Sequence, residues 1–206
     1  MPLSTYADLK KSLLDWSKRK DAQPLLADFI SMAETKMFSN EAEGLEVREL
    51  ESRALSTVAS RYHALPDDFV SMRRLTIKAS GSDIDLYGVA PDQLRIISGS
   101  GRPKYFTVTS QLEFDRVPDS TYEIEMQYFS KPPALSSTVN TNVIMSNYPE
   151  VYLHGALWAL FTWAMQEDKA EFHYQKFLQA IKGANKQSKR GRYGSAPFMR
   201  IEGATP

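Results

Sequence analysis

The sequence predicts an α+β protein. A helical bundle is built from the N-terminal helices and a long C-terminal helix, a small antiparallel β sandwich or barrel is inserted between them, and an extended C-terminal arm follows. Three observations predict this. Apolar residues recur at helical spacing over residues 5–38 and again after Asn147. Between them the pattern switches to period two, most clearly in Tyr122-Glu-Ile124-Glu-Met126-Gln-Tyr128, where apolar groups take one face and polar groups the other. Charge is uneven: the chain of 206 residues has a formal net charge of zero, yet residues 182–206 carry Lys182, Lys186, Lys189, Arg190, Arg192 and Arg200 against Glu202 alone. The expected units are residues 1–53 with 132–185 as the bundle, 54–131 as the β-rich insertion, and 186–206 as the arm.

Taken in order, Thr5 with Asp8 forms a capping box in which Asp stands for Glu, and Leu9, Leu13 and Trp16 line one face of a short helix. Asp21 and Pro24 signal a second start, and Leu25, Leu26, Phe29, Ile30, Ala33 and Met37 continue the pattern. Both helices are short and one-faced, so they need a surface to lie on. Residues 41–51 carry five Glu and one Arg and read as a solvated acidic connector, or as a surface complementary to a basic segment of a neighbouring subunit.

In the β region, Leu65-Pro66-Asp67-Asp68-Phe69 makes a tight turn into the sheet. Leu75 and Ile77, then Ile84 and Leu86, flank a hairpin turn at Ser80-Gly81. Val70 and Met72 are out of phase with Leu75 and Ile77, which calls for a bulge near Arg73–Arg74. Pro91-Asp92 opens one helical turn, and Leu112 and Phe114 alternate with polar neighbours. After Lys131-Pro132-Pro133 the stretch from Ser136 to Asn147 is a Ser/Thr/Asn-rich loop.

The long helix starts at Ser146 or Asn147, with Pro149 in its first turn. From Val151 to Met165 it is apolar nearly all round, so it must be covered on most sides. That run is shorter than the about 20 residues of a membrane span. A break or kink is allowed at Gln166–Asp168, beyond which the helix becomes one-faced and ends near Gly183. The arm that follows, cut by Gly and Pro, has no core of its own.

Catalytic and metal motifs are missing. His63, His154 and His173 lack metal-ligand spacing, and His154 and His173 are too far apart to pair on one helix turn. Gly99-Ser100-Gly101-Arg102-Pro103-Lys104 lacks the spacing of a phosphate loop and reads as a hairpin loop; no GxSxG elbow occurs. Asp67-Asp68 lies in a turn without further ligands. The chain has no cysteine, which removes thiolate chemistry. No cofactor, metal or enzymatic activity is expected. The N-terminus lacks the apolar core of a signal peptide, which points to the cytoplasm or to a particle assembled there. The basic tail leaves three readings open: phosphate binding with Tyr193 interleaved, docking on a protein through apolar anchors, or a frayed terminus.

LPDDFVSMRRLTI (65–77), TYEIEMQYFSKPPALS (121–136), Thr141-Asn142 ahead of NYPEVYLHGALWALFTW, and the following DKAEFHYQKFLQAI together resemble the head-to-tail adaptor (connector) proteins of tailed bacteriophages. The resemblance covers residues 25–181 as an order of elements, and YPEVYLHGAL is its most specific part. It implies a non-enzymatic structural virion protein in the neck between capsid and tail: a dodecameric ring docked beneath the portal protein, bridging it to tail or nozzle proteins around the DNA channel. DNA would pass without sequence-specific binding, and no membrane is involved. An extended C-terminal arm grips the portal in that family. Here Arg190, Arg192, Tyr193, Phe198, Arg200 and Ile201 would do so, while Tyr152, Trp158, Phe161 and Trp163 would serve the core and the subunit interface. Family channels tend to be acidic inside, whereas the acidity of this chain is concentrated at 41–51. The alternative is a nucleic-acid-binding module that uses the basic tail directly.

Overall fold

The structure, a computed structural model, describes residues 3–39, 44–79 and 82–193, with backbone only for 192 and 193. By its internal contacts the chain divides into two units, Met1–Glu49 with Pro132–Pro206, and Leu50–Lys131. The α+β class is as expected.

The first unit is helical. Helix α1 (Tyr6–Ser17) starts as its sequence dictates: the Thr5 hydroxyl accepts from the Asp8 N–H at 3.1 Å and donates to the Asp8 carboxylate at 2.7 Å. That reciprocal bond satisfies one orphan donor of the first turn. A 3-10 stretch, Lys20–Leu25, contains Pro24 and leads into α2 (Leu26–Met37), which buries Leu26, Phe29, Ile30, Ala33, Glu34 and Met37. Returning from the β unit, the chain forms α3 (Val143–Asn147), α4 (Pro149–Trp163) and α5 (Glu167–Tyr193). The Ser/Thr/Asn-rich loop therefore contains a short helix. Its cap is Asn142, whose side-chain oxygen accepts from the Met145 N–H at 2.9 Å. The expected caps Ser146 and Asn147 lie inside or at the end of α3, and α4 starts behind Tyr148 without a side-chain cap.

The long helix is a hairpin of two. The Gln166 N–H reaches Phe161 O at 3.0 Å and the Met165 N–H reaches Thr162 O at 3.1 Å, the paired bonds of a Schellman stop. Met165 sits at the left-handed position of that stop, φ 53°, where glycine is usual. Because α4 is apolar on several faces, a straight continuation would leave it uncovered. Folding back lets α5 lay Phe177 and Ile181, both buried, along it, with the Phe177 ring against Gly155. A Cβ on Gly155 would stand 2.9 Å from Ala33 Cβ and 3.0 Å from Phe177, so α2, α4 and α5 meet at a glycine.

Residues 186–193 are helical, where an extended arm was expected from Lys186. The reason is a polar seam. Asn185 Oδ1 accepts from the Glu46 N–H at 2.8 Å, Asn185 Nδ2 donates to Gly44 O at 3.0 Å, and Ser188 Oγ accepts from the Arg48 N–H at 2.8 Å. These bonds tie the last turns of α5 to the segment 44–48, and Ala184, Asn185 and Ser188 are buried there. Phe198, Arg200 and Ile201 lie outside the described residues.

The second unit holds β1 (Glu51–Val58), β2 (Tyr62–His63), β3 (Phe69–Lys78), β4 (Ile84–Asp85), β5 (Tyr87–Gly88), β6 (Tyr105–Val108), β7 (Leu112–Phe114) and β8 (Tyr122–Ser130). They form two four-stranded sheets, β1-β8-β3-β4 and β2-β7-β6-β5. The first is antiparallel, with Leu75 opposite Met126 and Ile77 opposite both Ile124 and Ile84. Register shifts fall between Phe69 and Ser71 and between Met72 and Arg74, the second where the phase change placed it. The second sheet is mixed, because β5 and β6 run parallel. The connection between them, including the Gly99–Lys104 stretch, is thus a crossover and not a hairpin loop; Gly99 there takes φ 92°. Pro91–Gln93 makes the expected helical turn. One core fills the unit, with Val58, Leu75, Ile77, Phe106, Phe114 and Ile124 at its centre.

Candidate functional site

The bundle unit carries three arrangements with chemical content. The first is a buried polar lock. Glu34 of α2 is almost fully enclosed, and its Oε1 accepts from the Tyr152 hydroxyl at 2.9 Å and from the Leu135 N–H at 2.8 Å. Asn142 Nδ2 donates to the Tyr152 oxygen at 2.7 Å and to Pro133 O at 3.0 Å. Burial pushes the Tyr152 phenol up, and the neighbouring Glu34 carboxylate adds to that, so the hydroxyl stays a donor. One α4 side chain thereby fixes both α2 and the 133–142 segment. Buried polar groups are stable only when satisfied in this way.

The second arrangement is a histidine pair. His154 Nδ1 and His173 Nδ1 are 3.0 Å apart; they do not share a helix turn, and the hairpin brings them together from α4 and α5. Periodicity along one helix could not show it; the reversal at Met165 does. Phe161 stacks on His173 and Trp16 meets His154 edge-on. Burial, and then the His154 ring, pushes His173 down to about 4. Burial also lowers His154, with Glu150 opposing and Lys176 assisting. At neutral pH both rings are uncharged, one donating and one accepting. Among the described residues no group of three or more His, Cys, Asp or Glu is placed to hold a metal ion.

The third is surface. A groove of about 980 Å³ lies between residues 147–154 and the stretch of α5 from Phe172 to Gln187, with Trp16 of α1 on its lining. Trp16 and Phe172 on it are 57% and 55% exposed. A side chain on Gly183 would meet nothing within 4 Å. At the opposite end of α5, Met165 is 89% and Trp163 42% exposed. A left-handed non-glycine residue costs roughly 1–2 kcal/mol, and Met165 adds to that an apolar side chain left in water. Along α5, Glu167, Asp168, Lys169 and Glu171 stand at its start, while no carboxylate occurs from Phe172 to Tyr193 among Lys176, Lys182, Lys186, Lys189, Arg190 and Arg192.

The residues expected at a core or interface separate accordingly. Tyr152 and Phe161 are buried within the chain, Trp158 is half-buried against Tyr174, and Trp163 is exposed under the Arg19 guanidinium. Of the residues expected to dock on the portal, Arg190 is exposed near the end of α5, and Arg192 and Tyr193 belong to its last turn. Sequence reasoning missed Met165, Gly183, Asn185 and Ser188. The last two had a signal: Ile181, Ala184 or Asn185, and Ser188 continue the three-four spacing with small residues in place of large ones.

Among the described residues no helix is long and apolar enough to cross a membrane. A comparison with curated proteins finds no match. The family model described as SU10 adaptor protein matches residues 4–200, which takes in both units. By that match, which agrees with the resemblance to phage head-to-tail adaptors, the chain belongs to the SU10 adaptor protein family.

Proposed function

We propose that this chain is a head-to-tail adaptor that forms a ring beneath the portal and bridges the capsid portal to tail proteins around the DNA channel. The observation that carries the reading is the family match, which spans both the bundle and the inserted β unit. The architecture supports it. A bundle closed by a buried lock is a rigid building block, and the β unit exposes Tyr87 and Tyr105 side by side, ring centroids 5.9 Å apart, for another partner. Large exposed apolar side chains at separate places suit a protein whose partners are other proteins. The role is structural, without turnover.

The portal grip is assigned to the end of α5 and the residues after it: Arg190, Arg192, Tyr193, Phe198, Arg200 and Ile201. Aromatic side chains would supply most of the affinity, and the arginines would orient the segment against partner carboxylates. Trp158 and Trp163 are assigned to contacts between copies, with Tyr152 and Phe161 as the core behind them. A pull-down with purified portal protein tests the grip. The cut belongs after Tyr193, because a cut after Gly183 would remove the Asn185 and Ser188 bonds. The shortened chain should keep its helical content and lose portal binding. Undiminished binding would remove Phe198, Arg200 and Ile201 from the grip and leave it to Arg190, Arg192 and Tyr193 or to the bundle.

A further inference from the structure

We propose that the His154–His173 pair is an acid-operated latch, which holds α5 against α4 while the pair carries at most one extra proton and opens when both rings are protonated. The inference goes beyond the ring reading and stands on the single chain. The Nδ1 atoms are 3.0 Å apart, the ring centroids 5.3 Å, and the ring planes meet at 27°. That centroid separation is what the bond and the two ring radii together require, so the nitrogens point at each other with room for one hydrogen between them. A neutral imidazole offers one N–H donor and one acceptor, whereas an imidazolium offers two donors and no acceptor. One imidazolium can therefore still donate to a neutral partner. Two would set N–H against N–H, with like charges in contact.

The surroundings decide where the first proton goes and why the second is refused. His154 lines the groove between α4 and α5, whereas His173 is buried. With its Nδ1 engaged in the pair, His154 takes the first proton at Nε2 and becomes the donor, and His173 remains the acceptor. On α4, Glu150 stands one turn before His154 and favours that proton, while Lys176 on α5 opposes it. The charge on His154 then acts against a proton on His173. Three aromatic rings enclose His173: Phe161 of α4 stacked at 5.3 Å, Phe172 edge-on at 5.2 Å, and Trp16 of α1 at 6.4 Å. Lys169 stands over the Phe161 ring, and Asp15 of α1 lines a hollow beside Trp16 with Asp8 and Lys11. Among the described residues Glu150 is the carboxylate that acts on the pair, so a second proton enters without an anion of its own. A buried charge without a partner is relieved by letting water in. Opening frees the start of α5, where Ala170, His173 and Phe177 are buried, while the Asn185 and Ser188 bonds still hold its far end.

Hydrogen exchange read by mass spectrometry on the full chain tests this. Opening binds a proton that the closed pair refuses, so it grows as pH falls, by about tenfold per pH unit for one proton. From pH 6 to pH 5, after correction for the intrinsic rate, opening of peptides covering residues 167–177 should rise by about that factor, while peptides of the β unit should hold. His154→Asn separates the proton count from mere burial. Asparagine places its amide where Nδ1 stood and can turn either its N–H or its oxygen to His173. A protonated His173 then keeps a partner, so the acid opening should be lost; His154→Phe with His173→Phe should lose it as well. Should His154→Asn fail to fold at neutral pH by circular dichroism, His173→Asn poses the same question from the other helix. A folded Asn variant that keeps the rise would overturn the latch, because burial alone would then be the cause. A native chain in which residues 167–177 show no rise, or in which the β-unit peptides rise in step with them, would overturn it too.

Discussion

Replacing Tyr152 by Phe removes one oxygen from the bundle and should cost far more than one exposed hydrogen bond. In the native chain that oxygen donates to Glu34 and accepts from Asn142, with all three side chains buried. A hydrogen bond to a charged group contributes about 1.5–3 kcal/mol net, and a buried partner left unpaired costs a similar amount. Asn142 keeps Pro133 O and Glu34 keeps the Leu135 N–H, so neither is wholly orphaned. The expected loss is therefore about 2–3 kcal/mol. Urea unfolding followed by circular dichroism measures it, and hydrogen exchange at the Leu135 amide localises it. A cycle with Glu34→Gln isolates the coupling between the two side chains, which should exceed about 0.5 kcal/mol for residues in one network. If Tyr152→Phe is neutral, or the two substitutions add without coupling, the lock does not hold α2 to α4 and the reasoning fails.

Three further outcomes follow from the packing. Gly155→Val should destabilise by roughly 1–3 kcal/mol, because its side chain collides with Ala33 and Phe177; thermal unfolding reads it. Asn185→Ala with Ser188→Ala should speed exchange of the Glu46 and Arg48 amides and cost about 1 kcal/mol per lost bond. The histidine pair sets a pH dependence. His173 is held at about 4, below its unfolded value near 6.5, so the folded chain binds fewer protons and stability falls as pH drops through that interval. Between about pH 6.5 and 5 the loss should approach about 2 kcal/mol, and His173→Phe should flatten it in urea titrations at the two pH values.

Elements whose signal is local could be read from the sequence. The capping box at Thr5, the pairing of Leu75–Ile77 with Ile84–Leu86 and the bulge before Arg74 each rest on a few adjacent residues, and each is in place, while the turn expected at Ser80-Gly81 lies outside the described residues. The hairpin of α4 and α5 was legible only as a possible kink, because its stop carries Met165 where glycine or asparagine would have announced it. With the reversal hidden, the His154–His173 contact and the groove behind it were hidden too. The last turns of α5 were missed for a different reason. Their inner face is Ala184, Asn185 and Ser188, which contribute hydrogen bonds to the 44–48 segment and little apolar area, so hydrophobic periodicity fades there while the helix continues.

Cross-linking mass spectrometry on intact particles tests the bridging role most directly. Lysines at the end of α5, Lys186 and Lys189, should link to the portal protein, and lysines of the β unit, Lys78 and Lys104, to tail proteins. Links from both units to the major capsid protein alone, or from both to the tail alone, would contradict a bridge between portal and tail.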